Sequence, residues 1–266
     1  MNPGLGNRPG SKPTKQEVEM LLEKKVCVVY GAGSIGGAVA RAFGAEGATV
    51  FVGGRTGAKA EALAAEIEAA GGSARGFEVD ALDEASVRGF VDAVVGEAGR
   101  IDVSFNLISV GDVQGTPLVE MGWEDFMAPI EAAVRSNFIT VNAAVPHMPR
   151  GGAVLFFGGE GDPVPDYSIG GFQIGLHAVE AMRRQYASEL GSAGVRFVTL
   201  RTGGVPESID SQELRDQIGD ALDSATLTGR AATLEDVGAV AAFVASDKAR
   251  TMTAATVNVS AGALID

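Results

Sequence analysis

Lys25-Val-Cys-Val-Val-Tyr30 runs directly into Gly31-Ala-Gly33-Ser-Ile-Gly36-Gly37. An apolar run stopped by glycine is the pattern of a buried parallel strand. From Ser34 to Glu46 the apolar residues Ile35, Val39, Ala42 and Phe43 recur at helical spacing. The junction therefore reads as strand, glycine turn, helix, with G-x-G-x-x-G in the setting a dinucleotide requires. Gly31 permits a tight turn, Gly33 lets the backbone approach a pyrophosphate, and Gly36 lets the helix pack closely. The helix begins at Ser34, Ile35 and Gly36, whose end offers N–H groups and the positive pole of the helix dipole to phosphates.

The same alternation continues outward to the C-terminus. Strands are expected at 48–52, 74–79, 101–105, 153–157, 195–200 and 256–259. Helices are expected at 58–70, 83–97, within 124–147, at 170–190 and at 234–245, the last opened by Thr233 as N-cap. The polar stretch 206–222 reads as a helical lid. Strands and helices in strict alternation imply a doubly wound α/β domain of Rossmann type, with helices on both faces of a parallel sheet. No linker interrupts the pattern, so residues 24–266 are expected to form one dinucleotide-binding domain. Residues 1–23 are expected to form a flexible tail, since the Pro- and Gly-rich start lacks the apolar core of a signal peptide.

The turn has a rival reading. Ala32-Gly-Ser34-Ile-Gly36 approximates the G-x-S-x-G elbow that exposes a hydrolase serine. That chemistry needs a histidine in a late loop, and both His147 and His177 fall near expected helices. The nucleotide reading is therefore preferred. A carboxylate for the ribose hydroxyls would end the second strand. Gly53-Gly54-Arg55 stands there instead. The planar fork of Arg55 suits a 2′-phosphate, which favours NADP, with NAD as the alternative. Asp80, ending the third strand, is placed either to accept from an adenine amino group or to cap the next helix.

Composition excludes other classes. The 266 residues are 46% hydrophobic and 21% charged, enough for a large core, and the net charge is −13. Nucleic acid and anionic membrane would be repelled, and no run approaches the roughly 18 apolar residues of a membrane span. With one cysteine, Cys27, and two histidines, neither an internal disulfide nor a zinc site is expected, and the setting is read as the cytoplasm.

Further stretches resemble the short-chain dehydrogenase/reductase family. They include Val79-Asp80, Arg100-Ile-Asp102-Val, Asn106, Ala143-Ala-Val-Pro-His-Met148, Ser188-Glu-Leu-Gly191 and Gly194-Val-Arg-Phe-Val198. Gly229-Arg230, Glu235-Asp-Val237, Phe243-Val-Ala-Ser-Asp247 and Gly262 extend the likeness to the tail. The resemblance implies about seven parallel strands, a nicotinamide cofactor, a homo-oligomer (tetramer or dimer), and reduction of carbonyls or oxidation of alcohols. It gives Asn106 a cofactor-side position and sets Gly203, in Gly203-Gly204-Val-Pro206, where the family meets the nicotinamide amide.

The likeness also exposes departures. The glycine that the family carries at the fifth position of the turn is Ile35 here, with Gly36 following. The motif after the fourth strand is Asn106-Leu-Ile-Ser109, in which only Asn106 matches. Counting back from Pro146 puts Ala133 at the family's catalytic asparagine. The serine position falls on Gly159. Phe172 and Leu176 stand where tyrosine and lysine are expected, and the interval from Gly159 to Phe172 fits the same register. In the family, tyrosine supplies a proton and lysine lowers its pKa. Phe172 has no hydroxyl, Leu176 has no charge, and no lysine lies between Lys59 and Lys248.

Tyr167 is the remaining candidate acid. His177 should point away from the Leu176 face, Glu160, Asp162 and Asp166 read as a solvated loop, and Trp123 and Phe126 read as packing at the start of the long helix. The chain is accordingly read as a divergent NADP-dependent oxidoreductase with an apolar active site and an unnamed substrate. The alternatives are a catalytically silent nucleotide-binding or scaffold protein and a non-redox enzyme using the same pocket.

Overall fold

A computed structural model describes residues 20–158 and 168–265. Seven strands form one sheet: β1 (Val26–Tyr30), β2 (Thr49–Gly54), β3 (Ser73–Glu78), β4 (Val103–Asn106), β5 (Ala153–Gly158), β6 (Arg196–Arg201) and β7 (Ala255–Asn258). All neighbours are parallel, in the order β3-β2-β1-β4-β5-β6-β7. The helices between them are α1 (Ser34–Ala45), α2 (Gly57–Ala69), α3 (Glu84–Ala98), α4 (Trp123–Ala144), α5 (Gly171–Leu190), α6 (Gln212–Ser224) and α7 (Leu234–Ala245).

Period-two alternation divides β1 between two cores. Cys27 and Val29 meet Val39 and Phe43 of α1, Leu63 and Ile67 of α2, and Val237 and Val244 of α7. Val26, Val28 and Tyr30 face the other side, against Val87, Phe90 and Val94 of α3. A third cluster joins Ala133 and Val141 of α4 to Val179 and Tyr186 of α5 over β5 and β6. Thr233 caps α7 in a reciprocal capping box with Asp236, as the sequence suggests.

Three local expectations change. Packing starts before residue 24, because Leu22 is fully buried and the N–H groups of Leu21 and Leu22 donate to Glu46 (2.8 and 2.9 Å). Residues 1–19 of the expected tail lie outside the described residues. Strand β2 runs on through Gly53 and Gly54, paired with Phe77 and Glu78, since ladder hydrogen bonds need no side chain. The 206–222 stretch is not one helix but a 3₁₀ turn, Pro206–Ser208, followed by α6.

Helices α4 and α5 touch through backbone. A Cβ on Gly171 would lie 1.8 Å from the Phe126 carbonyl oxygen, and one on Gly175 would lie 3.1 Å from that of Pro129. Gly171→Ala is expected to destabilise the chain by about 2 kcal/mol, as overpacking of a rigid contact does. Urea titration measures it, and an unchanged midpoint would show the helices separate freely.

The side of α5 turned to the sheet buries charge. Glu180 and Arg183 form an ion pair of 2.9 Å with side-chain exposures of 1% and 3%. Thr199 and Thr256 donate hydroxyl hydrogen bonds to the same carboxylate, the latter at 3.2 Å.

Candidate nucleotide and substrate site

In the sheet order β1 lies between β2 and β4, so the connections leave in opposite directions on either side of it. This switch point opens a crevice beyond the carboxyl ends of β1 and β4, where Tyr30 and Asn106 stand in register. Gly31 enters the turn at φ +110°, and its N–H donates to Gly53 O at 2.8 Å. A Cβ there would lie 2.0 Å from Leu107 O, and one on Gly36 would lie 2.2 Å from Gly31 O. These two glycines are required by the protein's own packing. Gly33 differs. Its backbone is extended, and a Cβ would meet nothing within 4 Å. It precedes α1 without a side-chain cap. The approach to the first turn of α1 is therefore open at Gly33.

Two cavities flank this turn. The smaller, about 180 Å³, is lined by Tyr30, Gly31, Arg55, Lys59, Asp80 and Ile108 among others. Arg55 and Lys59 are exposed at the end of β2 and the start of α2. Among the described residues, no carboxylate makes an ion pair with either. Two cations without counter-ions at one rim suit a doubly charged phosphate. Asp80 is not a helix cap. Its Oδ1 accepts from Leu82 N at 2.9 Å, while Asp83 caps α3 by accepting from Ser86 N at 2.6 Å. The Tyr30 hydroxyl is buried with no hydrogen-bond partner, and burial pushes its pKa upward.

The larger cavity, about 500 Å³, has Gly33, Ser34, Ile35, Gly36 and Asn106 on the glycine-turn side. Ala133, Phe172 and Leu176 line it from α4 and α5. Phe172 and Leu176 thus share one apolar wall, as their spacing of one helical turn predicts. Asn106 Nδ2 donates to Ser136 Oγ at 3.1 Å, while its Oδ1 is buried without a partner. Asn137, one turn beyond Ala133, donates from Nδ2 to the Ala133 carbonyl at 2.8 Å.

Sequence reading missed Lys59, Ser136, Asn137 and Asp112 as lining residues. Asn137 was legible as the i+4 neighbour of Ala133; Asp112 lies in an aperiodic loop that carries no such signal. Gly203 lines neither cavity. A Cβ there would lie 2.5 Å from Ala263 Cβ and 3.0 Å from Ser260 Cβ, so its smallness serves packing against the C-terminal segment. His177 is exposed beside Gln173 (3.3 Å) and lines neither. Neither histidine reaches the cavity holding Ser34, which leaves the hydrolase reading without a base. Trp123 is 68% exposed rather than packed in, and its ring stands 5.9 Å from that of Phe126. Gly159, Glu160, Asp162, Asp166 and Tyr167 lie outside the described residues.

A short-chain dehydrogenase model described as enoyl-(acyl carrier protein) reductase matches residues 31–263. The chain belongs to the short-chain dehydrogenase/reductase family. It is 31% identical over 249 residues to D-threitol dehydrogenase of Mycolicibacterium smegmatis, covering 92% of this chain and 95% of that one. Its fold matches a dehydrogenase/reductase from Sinorhizobium meliloti 1021 with TM-score 0.81 at 24% identity, covering 92% and 97%. A short-chain dehydrogenase from Burkholderia cenocepacia J2315, solved in complex with NADP, matches with TM-score 0.80 at 25% identity, covering 91% and 99%. As a member of the short-chain dehydrogenase/reductase family the chain has the expected seven-stranded parallel sheet. Among the described residues no group of three His, Cys, Asp or Glu side chains could hold a metal ion, and no helix is long and apolar enough to cross a membrane.

Proposed function

We propose that this chain is an NADP-dependent oxidoreductase whose proton chemistry does not follow the family's usual route. One observation carries the cofactor assignment: an open glycine turn at the start of α1 adjoins a cavity edged by the unpaired cations Arg55 and Lys59. The residues fit a dinucleotide at both ends. Tyr30 Oη and Asn106 Oδ1 are buried polar atoms without partners, and their residues line the smaller and the larger cavity respectively. Ser34 and Ile35 would hold the pyrophosphate, Arg55 and Lys59 the 2′-phosphate, and Asp80 the adenine. When bound, the nicotinamide supplies or accepts a hydride. Relatives solved with NADP or NADPH support this choice. The expected homo-oligomer belongs to the same proposal.

The chain's own residues then exclude water and position a substrate over an apolar wall. Phe172 and Leu176 can neither donate nor stabilise a proton, and Ala133 offers no side-chain polar group. That wall favours a second reading, a nucleotide-binding protein without turnover. Consumption of NADPH with any of a broad panel of electrophiles separates the two.

Fluorescence titration tests the cofactor. Arg55→Ala is expected to weaken NADPH binding about tenfold while NADH binding changes less than about twofold, since only NADPH carries the extra phosphate. Equal losses for both nucleotides would refute the 2′-phosphate assignment.

A further inference from the structure

We propose that the larger cavity takes a substrate that brings its own positive charge, a C=N⁺ iminium compound, with Asp112 as its counter-ion. This rests on the reading that the chain is a nicotinamide-dependent oxidoreductase and names the substrate class of the same site. Among the described lining residues of this cavity there is no tyrosine, lysine, arginine or histidine. Its polar side chains are serines, Asn106, Asn137, Gln114 and Asp112, of which Asp112 alone is a carboxylate.

The position of Asp112 follows from backbone contacts. Gly115 N donates to Ser168 O at 2.7 Å, and a Cβ on Gly170 would lie 3.0 Å from Val113 O. These contacts hold the Asp112 loop against the start of α5, beside Phe172. Asp112 accepts a hydrogen bond from Gln114 and makes no ion pair among the described residues. A half-buried carboxylate that lines one cavity with the apolar Phe172 and Leu176, with no cation among the described lining residues, is complementary to a cation carrying apolar bulk. The cavity, about 500 Å³, also holds Ser34, Ile35 and Asn106, so the substrate would share it with the nicotinamide half of the cofactor.

The electron count explains why such a substrate suits a cavity whose described lining has no tyrosine or lysine. A ketone that accepts hydride becomes an alkoxide and requires a proton from an acid. An iminium carbon accepts the hydride pair as a new C–H bond, the C=N π pair withdraws onto nitrogen as a lone pair, and the dihydronicotinamide is oxidised. The product is a neutral amine, and no proton enters from the chain.

The experiment uses N-methyl-3,4-dihydroisoquinolinium and its neutral analogue 1-tetralone, with NADPH binding titrated separately. The iminium is expected to be reduced above the uncatalysed rate with kcat/KM roughly 100-fold or more above that of 1-tetralone, the scale of a missing general acid. Calorimetry on the cofactor-free protein is expected to show the iminium binding about tenfold more weakly to Asp112→Asn, with the melting temperature and NADPH affinity preserved. Comparable turnover of 1-tetralone, or iminium binding indifferent to Asp112→Asn, would overturn the substrate assignment while leaving the cofactor reading intact. Failure of NADPH to bind would remove both.

Discussion

Glu180→Ala is expected to destabilise the chain by about 3–5 kcal/mol and to lower its melting temperature by roughly 10 °C. Glu180 projects from α5 toward β6 and β7, where its carboxylate accepts from Arg183 (Nη2 at 2.9 Å, Nε at 3.3 Å), Thr199 and Thr256. Arg183 Nη1 is already buried without a partner. Removing the carboxylate leaves a guanidinium beneath α5 with no counter-charge and strands two hydroxyls. The magnitude comes from the orphaned charge rather than from the worth of the pair. The double variant Glu180→Met with Arg183→Met is therefore expected to regain most of the loss, because both desolvated charges go together. Thermal melts of the single and double variants decide the matter. A double variant no better than Glu180→Ala would show that packing, not charge, accounts for the effect.

Gly31→Ala is expected to abolish measurable NADPH binding and to cost more than about 3 kcal/mol of stability. Two independent obstacles act at this position. The φ of +110° is outside the comfortable range of an L side chain, and the added Cβ would sit 2.0 Å from the Leu107 carbonyl oxygen. The β1–α1 turn would have to lift away from the end of β4, taking Ser34 and Ile35 out of the phosphate position. NADPH titration alongside a denaturant melt measures both losses. Wild-type affinity in a folded Gly31→Ala protein would mean that the nucleotide does not use this turn.

The sheet and its helices were legible because their signals are local and repeated. Apolar runs stopped by glycine mark β1 and β5, and the 3.6-residue period marks α1 and α7. Edges were less legible. Gly53 and Gly54 look like a loop by composition, yet they remain in β2 because backbone pairing with β3 continues and Gly53 leaves room for Val79 (3.1 Å from a Cβ there). Leu22 looks like part of a polar tail, and only its tertiary contacts make it core. The glycine turn between β1 and α1 was legible because glycine spacing records backbone geometry. Lys59 was hidden in an alanine- and glutamate-rich helix, where a lysine looks like ordinary solvation. Asp112 was hidden for a different reason. Its significance depends on which residues surround it across the cavity, and no spacing within its own loop records that.

Gly33→Ala tests the central assignment most directly, because of Gly31, Gly33 and Gly36 it alone is not required by the protein's own packing. Its backbone is extended and its Cβ would project into open space, so the variant is expected to melt within a few degrees of the parent. In an NADPH fluorescence titration its affinity is expected to fall about tenfold or more, since the methyl group stands where the pyrophosphate approaches the backbone. Unchanged affinity in this folded variant would contradict the account.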